Sequence, residues 1–514
     1  MACECGWSVD RVGVDVELKN KRVLVVGLGK SGLAAARFLK AQGARVTVSD
    51  SRPAATVAEL PQLLDEGIMV EAGSHGLLTF RRQELIVVSP GVPTTVPELK
   101  QVRALGMRII GELELGLQFL QGQIVAVTGS NGKTTTTALL GEIFAASGRP
   151  TLVGGNIGRP VVEMVAESVA LMEGLRSEGF VAGTQEADPS AALRDDKSKG
   201  RDDKSRGGGG GSVWSILEVS SFQLETIETF RPRVAMVLNI TPDHLDRHGS
   251  FENYAAAKAR ITENQTAEDF LVLNAEDTAT QRVAAHSRAQ IFWFSPRRQV
   301  KQGAFVHGES IFFRGAEGGQ PEPVMPVAEI ALAGAHNVEN VLAAVAAARL
   351  AGIASALIRG AVRGFRAVEH RLEFVRELEG VRYFNDSKAT NVDATTKALE
   401  AFPGGIHIIL GGKDKDSDYR GLGRLLRERA KTVITIGSAA EKIETQLAGV
   451  AKIERAGTLD RAVAMAHANA VAGDVVLLAP ACASFEQFAS YEHRGRMFKE
   501  LVGALGAVGS VAGA

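Results

Sequence analysis

Short runs of Val, Ile and Leu alternate with helical patterns from about residue 22 to residue 480, and this alternation constrains the fold more than any other feature. Continuous apolar runs are typical of strands that are buried on both faces, as in parallel sheets covered by helices. The pattern therefore predicts α/β units throughout the chain. The predicted strands are Arg22–Val26, Arg45–Ser49, Leu85–Ser89, Ile124–Thr128, Ile216–Val219, Val234–Asn239, Ile406–Leu410, Val433–Ile436 and Val475–Ala479.

The length and composition of the chain narrow its class. It has 514 residues, and at roughly 150 residues per domain this predicts about three domains. A hydrophobic fraction of 45% and a charged fraction of 23% are typical of globular proteins and exclude collagens and disulfide frameworks. The formal net charge is −1, so no global positive field favours a nucleic-acid partner.

The cysteine content and the apolar segments indicate a cytoplasmic protein. The three cysteines are Cys3, Cys5 and Cys482. Such a sparse, odd number is typical of a reducing compartment, and we find no signal-peptide pattern at the N-terminus. The longest apolar stretch, Val341–Val362, is interrupted by Arg349 and Arg359. We interpret it as one Ala-rich buried helix and expect no membrane span.

Residues 175–212 do not follow the alternation. They contain the tandem repeat RDDKSKG and RDDKSRG at 194–207, followed by five glycines at 207–211. Because such a segment can bury very little apolar surface, it predicts a flexible surface loop inserted between a helix and a strand. A charged arm that binds a partner is the alternative interpretation.

A first glycine-rich loop, Gly27–Gly32 (GLGKSG), follows a predicted strand and opens a predicted helix that Gly43 terminates. Glycines allow backbone N–H groups to approach a diphosphate, and the helix N-terminus adds partial positive charge. Asp50 at the end of the next strand completes the spacing of a dinucleotide-binding fingerprint. The loop alone leaves open NAD, another anionic nucleotide, or tight packing of the helix on the strand.

A second loop, Thr128–Thr135 (TGSNGKTT), also lies between a predicted strand and a predicted helix. In a loop of this type, Lys133 is expected to reach the β- and γ-phosphates and the Thr134 hydroxyl to bind Mg²⁺. The strict Walker pattern requires Gly where Val127 stands. The GKTT string nevertheless indicates a binding site for ATP or GTP.

Three side chains further along the chain are candidates for a metal site beside this loop. Glu218 ends a predicted strand, where a carboxylate can hold or orient Mg²⁺, although a solvated charge is the alternative. His244 and Lys258 follow. They are informative because they come after a phosphate-binding loop and a candidate metal-binding acid.

These strings together resemble the Mur ligase family, the ATP-dependent amide-forming enzymes of peptidoglycan synthesis. The resemblance covers nearly the whole chain except residues 175–212, and strings such as NDSKATN are typical of members that add D-glutamate to UDP-N-acetylmuramoyl-L-alanine. The strings that carry it are TGSNGKTT at 128–135, GGNIG at 154–158, EVSSFQLE at 218–225, TPDHLDRH at 241–248, KARITEN at 258–264, GAHN at 334–337, HR at 370–371, NDSKATN at 385–391, LGGKDK at 410–415 and PACASFEQF at 480–488.

The resemblance implies three α/β domains. A Rossmann-like domain at 1–111 would bind the UDP of the substrate rather than NAD. A central P-loop-type ATPase domain at 112–367, with a mainly parallel sheet, would bind ATP. A second Rossmann-like domain at 368–514 would bind the amino acid, and we expect it to close on the other two.

The implied activity is ADP-forming ligation of D-glutamate through an acyl phosphate, in a monomer that has only small-molecule substrates. Another acceptor, such as L-alanine, or the folate-type glutamate ligation of a related enzyme is the runner-up. An NAD-dependent oxidoreductase would leave the second glycine loop unexplained. A non-catalytic nucleotide switch would leave the motifs of the third domain unexplained.

The resemblance also implies roles for individual residues. The catalytic group comprises Lys133, Glu218, His244 and Lys258. Two Mg²⁺ ions would be bound by Thr134, Glu218, His244 and Lys258, the last as a carbamate, which suits a hard metal. ATP would be bound by Gly129, Ser130, Asn131, Gly132, Lys133, Thr134, Thr135, Asn337, Arg371, Asp386 and Lys388. The UDP-substrate would be bound by Gly29, Lys30, Ser31, Gly32, Ser51, Arg52, Asn156, Ser221 and Gln223. The amino acid would be bound by Thr390, Lys415, Ser484 and Tyr491.

Two features of the third domain leave the acceptor open. Ser484 also begins a capping box that predicts a helix from Phe485 onward, so it could serve only as a helix cap. Tyr491 stands where the D-glutamate-adding members of the family have Phe, and acidic residues flank Lys415.

Overall fold

A computed structural model of the chain describes residues 17–506 except 157, 178–211, 333 and 367–368. Cys3 and Cys5 lie outside the described residues, as does nearly all of the predicted insertion. At the insertion's edges, a helix ends at Ser177 and a strand begins at Trp214. The first three residues of the predicted loop therefore belong to a helix.

Strands and helices alternate along most of the described chain. The strands are β1 Arg22–Val26, β2 Arg45–Asp50, β3 Met69–Ala72, β4 Leu85–Val88, β5 Ile109–Gly111, β6 Gln123–Thr128, β7 Thr151–Gly155, β8 Trp214–Glu218, β9 Val234–Val237, β10 Phe270–Asn274, β11 Gln290–Ser295, β12 Gly303–His307, β13 Ser310–Arg314, β14 Glu322–Pro326, β15 Glu373–Leu378, β16 Val381–Asn385, β17 Ile406–Gly411, β18 Ala430–Ile436, β19 Lys452–Gly457 and β20 Val475–Leu478. The α-helices are α1 Lys30–Ala41, α2 Leu60–Asp65, α3 Leu77–Arg81, α4 Pro97–Ala104, α5 Glu112–Leu117, α6 Lys133–Ala146, α7 Val161–Ser177, α8 Ser221–Leu224, α9 Leu245–His248, α10 Phe251–Ala259, α11 Thr278–Ala284, α12 Ala335–Leu350, α13 Ser355–Gly364, α14 Val392–Glu400, α15 Gly423–Arg429, α16 Ala440–Gln446, α17 Leu459–Asn469 and α18 Tyr491–Ala504.

The strands form three sheets in chain order, which confirms the predicted α/β architecture. The first sheet is parallel, with the order β3-β2-β1-β4-β5. The third has the order β15-β16-β20-β17-β18-β19, in which β15 alone is antiparallel to its neighbour. Each predicted strand coincides with an observed one to within a few residues, because apolar runs that are buried on both faces carry the clearest signal.

The second sheet places the phosphate-binding loop at its centre. Its order is β14-β13-β12-β11-β10-β9-β6-β8-β7, so β6 lies between β8 and β9. The register pairs Val127 with Glu218, which brings the start of the loop beside the end of β8. Because carboxyl ends of parallel strands share one edge, the segments that follow β6, β8 and β9 meet there.

Two parts of the second domain differ from the sequence-based predictions. Strands β12, β13 and β14 form an antiparallel meander, although we predicted α/β units throughout. The stretch Val341–Val362 forms two helices, because the chain turns at Gly352 with a φ of +79°. Its first part is buried as predicted, with Val341 to Ala348 fully enclosed. In the described part of the chain, no helix is long and apolar enough to span a membrane.

Candidate functional site

One cavity of about 740 Å³ lies where loops from all three sheets meet. The first sheet contributes its glycine loop, the second its phosphate-binding loop and strand ends, and the third the segments around Lys388 and Tyr491. The predicted site residues that line it are Gly29, Lys30, Ser31, Ser51, Arg52, Ser130, Asn131, Lys133, Thr134, Asn156, Glu218, Gln223, His244, Arg371, Lys388, Thr390 and Tyr491. The structure thus brings together most of the residues predicted for three different ligands.

The phosphate-binding loop requires a glycine at position 132, where the backbone is left-handed and a side chain would clash. Gly132 has a φ of +85°, and a Cβ there would lie 2.2 Å from Asn340 Oδ1. The Lys133 ammonium donates to the carbonyls of Gly129 and Ser130, each over 2.9 Å. Burial lowers the pKa of Lys133, while the nearby carboxylates of Glu218 and Asp243 oppose that shift. The loop therefore presents a cation against a concave backbone, as phosphate binding requires.

Glu218 is almost fully buried and has polar partners on both oxygens. Its Oε2 accepts from the Thr134 hydroxyl over 2.7 Å, and its Oε1 accepts from Asn156 Nδ2 over 2.8 Å. Lys388, from the third sheet, donates to the same Thr134 hydroxyl. Burial alone would raise the pKa of Glu218, but Lys388 and Lys133 hold this pKa below its ordinary value. Glu218 is therefore a charged carboxylate rather than a solvated strand end.

Lys258 lies near the Glu218 carboxylate, and His244 lies near Lys258 and Lys133. His244 lines the cavity with a left-handed backbone, φ +52°, and burial together with Lys415 lowers its pKa to about 3. The amine of Lys258 is buried and donates to the Gly129 carbonyl over 2.8 Å. Burial and the neighbouring Lys133 lower the pKa of Lys258 well below its ordinary value. A neutral imidazole is the form that can bind a metal ion.

The first glycine loop is fixed by an acid and by close packing. Asp50 Oδ2 accepts from the Leu28 N–H over 2.6 Å, and Arg52 binds both oxygens of the same carboxylate. A Cβ on Gly32 would lie 1.9 Å from the Gly27 carbonyl oxygen. Gly32 is absent from the lining residues, and its observed role is to let α1 approach the loop. These contacts support the packing interpretation of this loop, while Gly29, Lys30 and Ser31 of the same loop line the cavity.

Polar contacts cross from the third sheet to the second. Lys415 Nζ lies 3.4 Å from Asp243 Oδ1, and Asn391 Nδ2 donates to Asp243 Oδ2 over 2.9 Å. Within the third domain, the Tyr491 hydroxyl lies 3.2 Å from Lys388 Nζ, which donates to the Thr134 hydroxyl of the second domain. These contacts hold the third domain against the second on the rim of the cavity.

A smaller cavity of about 20 Å³ lies beside the phosphate-binding loop. Among the residues predicted for ATP, Gly132, Asn131, Arg371 and Asp386 line it. Burial raises the pKa of Asp386 to about 6, against the attraction of Arg371. Asn337 is buried nearby, and its Oδ1 accepts from Asn340.

The predicted helix cap at Ser484 is wrong. The helix begins at Tyr491, and Ser490 caps it by accepting from the His493 N–H over 3.2 Å. Gln487, the expected partner in the capping box, instead donates from its side-chain amide to the Gly457 carbonyl over 2.8 Å. Residues 485–487 form a turn, so Ser484 has no cap function.

Several predicted site residues are not among those that line the larger cavity. Thr135 and Ser221 are buried, and the Ser221 hydroxyl pairs with His248 Nε2 over 3.1 Å. Gln223 lines the cavity, but its side-chain oxygen also caps α8. The members of the predicted set outside that lining are Gly32, Gly129, Gly132, Thr135, Ser221, Lys258, Asn337, Asp386, Lys415 and Ser484.

Sequence reasoning missed Asp243, one of several further residues that line the cavity, and Arg494, which lies outside that lining. Asp243 lines the cavity and binds both Lys415 and Asn391, and its signal was its position beside His244 in the TPDHLDRH string. Arg494 is fully buried and donates to Ser387 and to the Cys482 carbonyl, which ties together two loops of the third domain. No pattern in the sequence marked Arg494, because its partners are the hydroxyl and carbonyl of Ser387, 107 positions away, and the backbone carbonyls of Cys482 and Ala483.

Comparisons with known proteins identify the family of the chain. Three family models match the chain: the Mur ligase MurD-like N-terminal domain at 21–111, the Mur ligase middle domain at 210–348, and the Mur ligase glutamate ligase domain at 370–482. The UDP-N-acetylmuramoylalanine--D-glutamate ligase of Acidobacterium capsulatum is 59% identical over 95% of this chain and 97% of its own. The enzyme of the same name from Koribacter versatilis is 54% identical over 95% of this chain and 98% of its own.

A solved structure supports the fold. The UDP-N-acetylmuramate-alanine ligase MurC of Thermotoga maritima superposes with a TM-score of 0.55, at 18% identity, over 94% of this chain and all of that one (100%). At that identity the likeness concerns the three-domain architecture alone.

Proposed function

The chain belongs to the Mur ligase family, and from that premise we propose that it joins D-glutamate to UDP-N-acetylmuramoyl-L-alanine while ATP becomes ADP and phosphate. Members of this family use ATP and Mg²⁺. The observation that carries the proposal is the contact of Lys388 with Thr134, which in turn donates to Glu218. Through this contact, a lysine of the third domain, which we propose binds the acceptor, touches the end of the phosphate-binding loop.

The chemistry explains why three domains must meet. A carboxylate oxygen of the substrate attacks the γ-phosphorus, ADP departs, and an acyl phosphate results. The amine of D-glutamate then attacks the acyl carbon, phosphate departs, and the amine loses a proton. Two anions must approach each other in the first step, and Lys133 and Lys388 reduce that repulsion by electrostatic stabilisation and positioning.

The residues around Glu218 fit a hard divalent cation. Its carboxylate and the Thr134 hydroxyl are oxygen ligands of the type that Mg²⁺ prefers, and the ammonium of Lys388 already contacts the Thr134 hydroxyl. We propose that Thr134 and Glu218 hold one Mg²⁺ and that His244 and Lys258 serve a second. When bound, the ions supply positive charge that neutralises the phosphates.

We further propose that Lys258 is carbamylated. Only a neutral amine can add CO₂, with loss of a proton, and burial lowers the pKa of Lys258. Its amine donates to the Gly129 carbonyl of the phosphate-binding loop, so the resulting carboxylate would provide anionic oxygens beside that loop. Intact-mass measurement of the protein in bicarbonate buffer, with Lys258→Gln as control, tests the modification.

The remaining assignments complete the proposal. We propose that ATP lies against Gly129, Ser130, Asn131, Gly132, Lys133, Thr134, Thr135, Asn337, Arg371, Asp386 and Lys388. The UDP-substrate would contact Gly29, Lys30, Ser31, Gly32, Ser51, Arg52, Asn156, Ser221 and Gln223. The acceptor would contact Thr390, Lys415, Ser484 and Tyr491. We propose domain limits of 1–111, 112–367 and 368–514, and a monomeric cytoplasmic enzyme that binds no nucleic acid.

The experiment is an acceptor panel. Purified protein receives UDP-N-acetylmuramoyl-L-alanine and Mg-ATP with D-glutamate, L-glutamate, L-alanine or glycine, and phosphate release is measured. We expect release with D-glutamate above all others. Preference for L-alanine would replace the proposed acceptor, and no release with any amino acid would contradict ligase function.

Two variants connect that activity to the site. Lys133→Ala should abolish D-glutamate-dependent phosphate release, because it removes the cation of the phosphate-binding loop. Lys100→Ala, an exposed lysine of the first domain, should leave the release unchanged. Activity that survives in Lys133→Ala would contradict the proposed role of the loop.

A further inference from the structure

Arg247, in the second domain, reaches across to the first. Its Nη2 donates to the Val92 carbonyl over 3.1 Å and its Nη1 to the Pro90 carbonyl over 3.3 Å. The side chain is 13% exposed, so these bonds form in a largely desolvated place. A single guanidinium therefore binds the backbone of the segment that follows β4 to the second domain.

Arg247 is itself held rigidly by its own domain. Glu225 Oε2 accepts from its Nη2 over 3.0 Å, and its Cζ lies 4.4 Å from the centre of the Phe222 ring. An ion pair and a stacked ring fix the planar fork of donors in one orientation. Arg247 thus acts as a rigid link between two domains.

The segment Pro90–Val92 lines the cavity and packs against the first glycine loop. A Cβ on Gly27 would lie 2.6 Å from Val92 Cγ2, and the Ser89 hydroxyl donates to the Gly27 carbonyl over 2.7 Å. The position of this segment therefore determines where the glycine loop lies relative to the phosphate-binding loop.

We propose that Arg247 is a positioning residue for the UDP-substrate: it fixes Pro90–Val92 against the second domain, so that a substrate held by the first domain presents its carboxylate near Lys133. The inference rests on the proposed function and extends it to a residue that touches no reacting atom. The proposed UDP-substrate contacts lie on both the first domain (Arg52) and the second (Asn156 and Gln223). A shift of one domain against the other would therefore weaken binding of this substrate.

The test uses Arg247→Met and Arg247→Lys in the full-length enzyme. Met removes all donors but can still pack on Phe222. Lys keeps the charge beside Glu225 but lacks the fork that reaches several acceptors. We expect the KM for UDP-N-acetylmuramoyl-L-alanine to rise about tenfold or more in Met and less in Lys, with the KM for ATP within about twofold of wild type.

The matched control is Arg429→Met. Arg429 also donates to two carbonyls, of Leu399 and Phe402, over 3.1 and 2.7 Å, but all of these residues lie in the third domain. It should leave the KM for the UDP-substrate unchanged.

Calorimetric titration with the UDP-substrate, without ATP, provides a second measurement. Weaker binding by Arg247→Met with an unchanged melting temperature supports the proposal. Two results would overturn it. One is that both Arg247 variants bind the UDP-substrate as the wild type does, with an unchanged KM. The other is that the KM values for the UDP-substrate and for ATP rise equally while the melting temperature falls. Binding by the wild type without phosphate release for any acceptor would contradict the proposed function, while the titration still tests Arg247.

Discussion

The hydroxyl of Thr134, in the first turn of α6, donates to Glu218 Oε2 at the end of β8 over 2.7 Å. Both side chains are buried, and Asn156 satisfies the second carboxylate oxygen. The carboxylate is therefore orientated by the protein itself and does not require reorganisation when ligands bind. Such preorganisation is the main source of electrostatic stabilisation in enzymes.

Replacing this carboxylate should disable phosphoryl transfer. Glu218→Gln keeps the shape and the Asn156 contact region but removes the negative charge that Mg²⁺ requires. We expect D-glutamate-dependent phosphate release to fall by about 10²- to 10³-fold, with a smaller change in the KM for the UDP-substrate. Glu142→Gln, an exposed position on α6, is the control. A loss of less than tenfold in Glu218→Gln would show that the carboxylate does not serve the metal.

Removing the charge of Asp243 should weaken binding of the acceptor. Lys415 is mostly buried and pairs with Asp243 across the domain boundary, so Asp243→Asn leaves a buried cation without its partner. We expect the KM for D-glutamate to rise about tenfold, since the lysine loses its fixed position. Steady-state kinetics with each substrate varied in turn measures this. Asp246→Asn, three residues away and exposed, should behave as wild type, and an unchanged KM in Asp243→Asn would remove the pair from acceptor binding.

The parts of the site that follow strands were predictable from the sequence. Glu218 ends an apolar run and the loop that carries Lys133 follows another, and parallel strands bring such ends to one edge. The order of strands and loops along the chain was therefore enough to predict that these side chains lie close together. The same reasoning located the first glycine loop and Asp50.

The contacts between domains were not predictable. Asp243 and Lys415 are separated by 172 positions, and nothing in either string indicates which domain faces which. The capping-box pattern at Ser484 was misleading, because the side chain of Gln487 donates to the Gly457 carbonyl instead of closing the box. Tertiary contacts there override a local signal that would stabilise a helix by only about 1 kcal/mol.

The two glycines at the start of α1 should respond differently to a methyl group. In Gly32→Ala the new Cβ would meet the Gly27 carbonyl at 1.9 Å, whereas Gly29 has no neighbour within 4 Å. We expect Gly32→Ala to lower the melting temperature of the protein, at a cost of about 1–3 kcal/mol for overpacking, and Gly29→Ala to leave it unchanged. Differential scanning fluorimetry measures both. Equal melting temperatures would show that the loop can relax away from α1.

The last prediction concerns pH and the junction between the first two domains. Glu112 begins α5, is almost fully buried, and accepts from the Val162 N–H over 2.9 Å. Burial raises its pKa to about 7, so the folded chain binds this proton more tightly than the unfolded chain does. The resulting stability is complete below the unfolded pKa and is lost as pH rises through about 7.

Glu112→Gln, which is neutral at every pH, should remove that dependence. We expect the wild type to melt on the order of 5 °C below the variant at pH 8, with the difference disappearing toward pH 5. Melting temperatures at pH 5, 6, 7 and 8 provide the measurement, and Glu163→Gln, an exposed position on α7, is the matched control. Parallel curves for wild type and Glu112→Gln would mean that Glu112 is ionised in the fold throughout this range, with its charge stabilised by the N-terminus of α7.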